Sequence, residues 1–351
     1  MTRIGRAFVL GASGQVGFAA VAALAKRGWS VTAAARRSDI ARLWPDELDV
    51  RTVRVDRAEP GALERALAGG HDVLVDCVAY SAADAAQVSG LAALVGSVVV
   101  ISTVAVYADE AGRNFADPTS PWPYLPVPIP ESQPTAPASD NPIGGKVALE
   151  QAWLSQDALP VTILRPGAIY GPRSNYPREW YFVKRALDRR PVRIIKDGGA
   201  TVFHTTSAAN LGELITLAAM RPGTRVLNAG DPVPPTAAQI GRTVSAILGH
   251  EAREVLIDGE ADDPSLGDTP WSTPRPVVMD IRRAEQELGY RPTRSYAEAV
   301  EPALRWQVDT AADGDWRELF PYFYVNQGEN AFDYALEDAW LAAQPRERSG
   351  V

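Results

Sequence analysis

Near its start the chain alternates short apolar runs with stretches of helical character. Phe8-Val9-Leu10 is an uninterrupted apolar run. Gln15 to Arg27 is alanine-rich and amphipathic, and Gly28 ends it. Trp29 to Ala35 reads as a second strand, Val53 to Asp56 as a third, Val73 to Val78 as a fourth and Val98 to Ser102 as a fifth. Short strands that alternate with helices predict an α/β fold, a parallel sheet wound on both faces.

Residues 109–142 break the rhythm with nine prolines, from Pro118 to Pro142. Proline fixes φ and lacks an N–H donor, so the stretch reads as neither helix nor central strand. It is expected to be either a rigid surface loop or a wall over the active site, with Trp122 and Tyr124 favouring the wall. Beyond it, Gly145–Leu154 reads as helix and Val161–Leu164 as a buried strand. Asn210–Met220 is a helix, and Val226–Asn228 and Val255–Ile257 are short strands. Ile281–Leu288 is a short helix stopped by Gly289. The tail after residue 308 is richer in aromatic and acidic residues.

Composition narrows the function classes. Of 351 residues, 46% are hydrophobic and 22% charged, as in ordinary globular chains. A net charge of −8 argues against a nucleic-acid partner. No apolar stretch is long enough for a membrane span, and none at the amino terminus reads as a signal peptide. Cys77 is the single cysteine, and His71, His204 and His250 are far apart, so neither a disulfide nor a Cys/His metal site is expected. A cytoplasmic protein with a small-molecule substrate, monomeric or homodimeric, is the expectation.

The strongest chemical signal lies in Gly11-Ala12-Ser13-Gly14-Gln15-Val16-Gly17, directly after the first strand and opening the first helix. Glycines allow a tight turn and a close backbone approach to a diphosphate, and a helix start offers free N–H groups to its charge. The second strand ends Ala35-Arg36-Arg37, where an NAD site usually places an acidic residue on the ribose 2′-hydroxyl. Two guanidiniums there suit the 2′-phosphate of NADP(H). Asp56 reads equally as an acceptor for the adenine amine or as a turn residue.

Further landmarks follow in order: Ser102-Thr103-Val104-Ala105-Val106-Tyr107, Lys146 with Glu150, Leu164-Arg165-Pro166-Gly167-Ala168-Ile169-Tyr170-Gly171-Pro172, Phe203-His204, and Glu287-Leu288-Gly289-Tyr290-Arg291-Pro292. With the glycine loop, they make the chain resemble the extended short-chain dehydrogenases/reductases over residues 5–307, the group of nucleotide-sugar epimerases and dehydratases. The resemblance implies a Rossmann-type doubly wound sheet with a smaller C-terminal α/β substrate domain. Residues 1–172 would be mainly NADP-binding and 173–307 mainly substrate-binding. Residues 200–228 would return to the first domain, and 308–351 would form an extension. It implies that Thr103 bonds the reacting oxygen, that Lys146 bonds the nicotinamide ribose, and that Val78, Ala79, Pro166 and Gly167 pass beside the nicotinamide.

One departure is informative. The family motif is Y-x-x-x-K, yet four residues before Lys146 stands Pro142. The usual proton donor is absent. Oxidising an alcohol needs a base for a weakly acidic hydroxyl, whereas reducing a ketone needs only a proton for a basic oxyanion. The loss therefore favours reduction of an activated carbonyl, with the proton from water, Thr103 or the substrate. Tyr80, after the fourth strand, is the first replacement candidate, ahead of Tyr124, His204 and Tyr107. The expected function is an NADPH-dependent ketoreductase acting on a small molecule, one that resembles the atypical reductases that act on polyketides and other natural products, with the proton supplied by water or substrate. The alternatives are an epimerase or dehydratase with a relocated base, using Arg173, Arg178, Lys184 or Arg185 on a second diphosphate, and a non-catalytic NADP(H)-binding regulator. Trp180, Tyr181, Phe182 and Trp271 read as core or as pocket lining. Arg178-Glu179 and Asp262-Asp263 read as solvated surface.

Overall fold

Strands that lie in the middle of a parallel sheet need apolar side chains on both faces, and the first strand supplies them. The computed structural model describes residues 4–37, 40, 43–117, 119–259 and 263–344. Arg6–Leu10 forms β1, followed by α1 (Gln15–Lys26), β2 (Ser30–Ala35), β3 (Val50–Arg54), α2 (Ala62–Leu67), β4 (Val73–Asp76), α3 (Ala82–Ser89) and β5 (Val98–Ile101). Next come α4 (Pro142–Leu154), β6 (Val161–Pro166), β7 (Ala168–Tyr170), α5 (Trp180–Leu187), β8 (Val192–Ile195), β9 (Thr205–Ser207), α6 (Ala208–Met220) and β10 (Arg225–Ala229). The chain ends with α7 (Ala237–Leu248), β11 (Arg253–Leu256), α8 (Arg282–Leu288), α9 (Tyr296–Ala299), α10 (Glu301–Ala311), α11 (Trp316–Leu319), α12 (Pro321–Gln327) and α13 (Tyr334–Ala343).

The chain divides into two compact units. The first comprises Met1–Ser174, His204–Pro234 and Arg275–Val300, and the second Asn175–Phe203, Pro235–Pro274 and Glu301–Val351. The first holds a seven-stranded sheet in the order β10-β6-β5-β4-β1-β2-β3, every pairing parallel. Alternate residues of each strand feed opposite cores. Ala7, Val9, Val31, Ala33, Val73 and Val75 face α1, α6 and α8, through Leu24, Leu211 and Leu288 among others. Phe8, Leu10, Leu74, Val98, Val100 and Ile163 face α2, α3 and α4, through Leu63, Val88 and Trp153. Strand order reverses between β1 and β4, so a crevice opens beyond their carboxyl ends, where such sheets bind ligands.

Several expected boundaries move. The third strand is Val50–Arg54 rather than Val53–Asp56. Val55 still donates to Ala35 O at 2.9 Å, but Asp56 already turns away, its carboxylate accepting from the Ala58 amide at 3.0 Å. Pro142 does not precede the fourth helix; it opens it at the first turn, where a missing N–H costs nothing. Asn141 caps that start, accepting from the Ile143 and Gly144 amides at 3.0 and 2.9 Å.

The proline-rich stretch is knitted into the first unit rather than lying loosely on a surface. Ile129 is fully buried, its amide bonding Val278 O at 2.7 Å and its carbonyl taking the Asp280 amide at 2.9 Å. Ala136 donates to Val106 O at 2.7 Å, and Ala116 and Ala136 share a small core with Val106 and Val147.

In the second unit β8 and β11 form a parallel pair, and α5 and α7 pack together. Trp180, Tyr181, Phe182 and Trp271 are all buried, so they are core. Glu179 is buried as well, which corrects the expectation of a solvated Arg178-Glu179 pair; Asp263 is exposed, and Asp262 lies outside the described residues. The carboxyl-terminal aromatics Trp316, Phe320, Phe323 and Phe332 build a cluster with Trp180 and Tyr181. Among the described residues no helix is long and apolar enough to cross a membrane.

Candidate active site

The glycine loop stands at the crevice between β1 and β4. Gly11 and Ala12 donate their amides to Ala34 O at 2.9 and 3.0 Å, which fastens the loop to the end of β2. The cap residue of α1 is Gly14, which has no side chain to satisfy the first amides. The Phe18 amide bonds back to Gly14 O at 2.8 Å, so the amides of Gln15, Val16 and Gly17 at the start of the helix are available to an anion. A Cβ on Gly17 would collide with the Gly11 carbonyl, so only glycine lets the helix start this close to the loop. Ser13 is held by the segment that follows β7, its carbonyl accepting from Arg173 Nε at 2.7 Å. Gln15 Nε2 reaches Gly171 O at 3.3 Å and so ties α1 to the end of β7. The Cγ1 of Val78 lies where a Gly11 side chain would be, at 2.5 Å from its ideal Cβ. Arg36 and Arg37 follow β2 and are exposed.

Lys146 lies on the second turn of α4 and is buried. Its ammonium donates to Ala79 O and Ile101 O, both at 2.6 Å, which pins it between the carboxyl ends of β4 and β5. The Tyr80 ring covers it, with Nζ 4.0 Å from the ring centre. Burial lowers the Lys146 ammonium from 10.5 to about 8, with the Asp76 carboxylate opposing that shift. Asp76 is itself pushed up by burial and is held by Arg57 at 2.9 Å. Arg57 also pairs with Asp84 at 3.0 Å. Asp84 caps α3, accepting from the Tyr80 and Ser81 amides at 2.9 and 3.0 Å. The backbone of Tyr80 is thereby fixed while its ring stays 54% exposed. Gly145 completes the arrangement, because a Cβ there would strike the Tyr80 carbonyl.

Thr103 stands two residues beyond the end of β5 in extended conformation and caps a short 3-10 turn, its oxygen accepting from the Ala105 amide at 3.2 Å. That bond leaves the hydroxyl proton to donate. Behind it, Ser102 donates to Glu150 at 2.5 Å, and Arg165 grips the same carboxylate at 3.0 and 2.5 Å. Pro166 ends β6 in register with Ala229, and the Gly167 amide bonds Thr206 Oγ1 at 2.9 Å.

The other donor candidates are committed elsewhere. Tyr107 is buried and donates to Asn228 Oδ1 at 2.6 Å. His204 accepts the Met279 amide on Nδ1 at 3.0 Å and donates from Nε2 to Asp231 O at 2.9 Å, a neutral tautomer with both nitrogens used. Burial lowers its pKa further from any role as an acid. Tyr124 is exposed and stacks with Arg113 and Arg275, whose guanidinium carbons lie 4.1 and 3.3 Å from its ring centre. The Asp76–Arg57–Asp84 cluster was not singled out in the sequence; its signal is an acidic residue at the end of an otherwise apolar strand, Val73-Leu74-Val75-Asp76.

Comparison with known proteins adds the following. The family model of the NAD dependent epimerase/dehydratase family matches residues 7–203. A curated 2′-dehydrokanamycin reductase from Streptomyces kanamyceticus is 33% identical over 222 residues, 60% of this chain; the chain spans 58% of that protein's length. An epimerase from Methanothermobacter thermautotrophicus superposes with a TM-score of 0.66 at 17% identity, over 90% of this chain and 94% of its own. The UDP-glucuronic acid 4-epimerase from Bacillus cereus, solved with NAD, gives 0.62 at 20% identity, over 86% and 98%. At such identities the two structures share the fold.

Proposed function

Because the chain belongs to the NAD dependent epimerase/dehydratase family, we propose that it is an NADPH-dependent reductase of a small-molecule ketone, with Lys146, Tyr80 and Thr103 as its catalytic residues. The family supports an enzyme that uses a nicotinamide dinucleotide, and the curated reductase supports the direction of the reaction. The observation that carries the reading is Lys146, pinned by Ala79 O and Ile101 O under the ring of Tyr80. Where the family motif would place its tyrosine, Pro142 opens a helix; a different tyrosine reaches the same lysine from the end of β4.

The residues present fit the cofactor. The Gln15, Val16 and Gly17 amides would take the diphosphate, since no side chain caps them. Arg36 and Arg37 would take the 2′-phosphate, since β2 ends without an acidic residue. When bound, the dinucleotide supplies the hydride for the carbonyl carbon. Lys146 has three donors and spends two on backbone carbonyls; the third would hold a ribose hydroxyl. Thr103 donates to the carbonyl oxygen and stabilises the charge that develops there. Tyr80, fixed by the Asp84 cap, presents its hydroxyl as the proton source, and solvent reaches its exposed edge to replace the proton.

Two of the cations that a second diphosphate would need are spent within the protein. Lys184 pairs with Asp188 at 2.7 Å and Arg185 with Glu337 at 2.6 Å. This favours a ketone substrate over a nucleotide sugar. The test is NADPH consumption by the purified chain against a panel of aryl ketones and quinones, beside UDP- and dTDP-sugars. Ketone-dependent consumption of NADPH over NADH is expected. Tight binding without turnover would indicate a regulator, and conversion of a nucleotide sugar would indicate an epimerase.

A further inference from the structure

Arg178 differs from its neighbours Arg173, Lys184 and Arg185, which are bonded within the protein. Among the described residues no carboxylate lies within ion-pair distance of it, and no acceptor takes a hydrogen bond from its guanidinium. Three rings of the second unit surround it instead. Its guanidinium carbon lies 4.4 Å from the ring centre of Tyr176, 5.6 Å from that of Phe203 and 5.9 Å from that of Trp271. Trp271 is buried, and Tyr176, Phe203 and Arg178 are half-buried. The polar groups nearby are occupied with one another. The Tyr176 hydroxyl accepts from Gln327 at 2.7 Å, and the neighbouring Glu179 carboxylate accepts from Gln307 at 3.5 Å.

Ring faces attract a guanidinium but take no directed bonds from it, so its forked N–H donors are left without acceptors. Removing such a group partly from water without an acceptor is costly, and an anion from outside would offset that cost. A carboxylate matches the planar fork, and a flat body matches the aromatic walls. A phosphate dianion would call for a second cation beside the first.

We propose that Arg178, Tyr176, Phe203 and Trp271 form a binding site for the carboxylate of an aromatic or conjugated acid. All four residues lie within the second unit, and the binding claim stands apart from the reductase reading.

Calorimetric titration of the full chain with benzoate, benzamide and inorganic phosphate tests it. Benzoate is expected to bind, with the neutral amide at least about tenfold weaker, as the loss of a charge-assisted pair implies. Arg178→Met should weaken benzoate at least about tenfold, and Arg178→Lys, which keeps the charge and loses the fork, should fall between. Urea unfolding of the same samples, followed by the fluorescence of the buried Trp180, Trp271 and Trp316, reports folding of the second unit. Equal binding of benzoate and benzamide by the unaltered chain, or undiminished benzoate binding by Arg178→Met, overturns the site. Phosphate binding tighter than benzoate overturns the carboxylate class. Failure to reduce any ketone would strike the reductase reading and leave the benzoate result intact.

Discussion

Tyr80 and Lys146 form the pair on which the chemistry turns. If Tyr80 delivers the proton, Tyr80→Phe should lower kcat by about a hundredfold to ten-thousandfold, the usual worth of a placed acid, while NADPH affinity holds. Steady-state kinetics beside a cofactor titration would check this; an unchanged kcat would move the proton source to water or the substrate. The lysine gives a pH signature. Burial puts its ammonium at about 8, so the charge and the third donor are present below that value and lost above it. Catalytic efficiency with NADPH should fall as pH rises through about 8, and the fall should vanish in Lys146→Met. Stability runs the opposite way. The folded pKa of about 8 lies below the free value of 10.5, so between them the unfolded chain holds the extra proton. Stability should therefore rise with pH across that window and flatten on either side, measurable by denaturant titration at stepped pH.

Among the elements, the start of α4 decides whether the family motif can be restored. Pro142 is exposed at the first turn, and residues four apart share a helix face, so a side chain at 142 lies on the face that carries Lys146. Pro142→Tyr should fold normally, because Asn141 still caps the helix, and should recover part of the activity lost in Tyr80→Phe. Activity of the double variant no better than that of Tyr80→Phe would show that the helix start lies out of reach of the reacting oxygen. The end of β2 carries a second expectation. Replacing Arg36 and Arg37 together with alanine should weaken NADPH by roughly tenfold or more and leave NADH little changed, since charge-assisted phosphate contacts are at stake. Fluorescence titration with both nucleotides would settle it. These elements were legible in the sequence to different degrees. Glycine spacing after an apolar strand located the loop and α1, because backbone geometry there permits few residues. The gap at Pro142 was plain to see. Its consequence was not, since the approach of Tyr80 to Lys146 joins segments 66 residues apart, from 80 to 146. Local patterning carries no trace of such contacts. Glu179 was misread as surface for the same reason: an isolated charge pair reads as solvated until tertiary packing encloses it.

At the scale of the whole molecule, the carboxyl-terminal segment belongs to the second unit and is part of its core. The ion pairs there carry unequal weight. Glu337 on α13 meets Arg185 at 2.6 Å with both side chains buried, whereas Asp338 beside it is exposed. Arg185 also lies 3.7 Å over the Tyr181 ring, so the pair is walled by aromatics. Removing one partner of such a pair strands the other charge, whereas removing both with apolar side chains of like volume strands neither. Glu337→Ala should thus destabilise the second unit by about 3–5 kcal/mol, Arg185→Met by a similar amount, and the double variant Arg185→Met with Glu337→Met by much less than their sum. Asp338→Ala should cost far less than either single change, because its carboxylate faces solvent where its pair with Arg190 is screened. Urea unfolding followed by tryptophan fluorescence reports on this unit through Trp180, Trp271 and Trp316, all buried there. The Rossmann-type sheet lies in the first unit, so NADPH binding measured at low urea should survive these changes. A parallel loss of cofactor binding would mean that the two units fold as one.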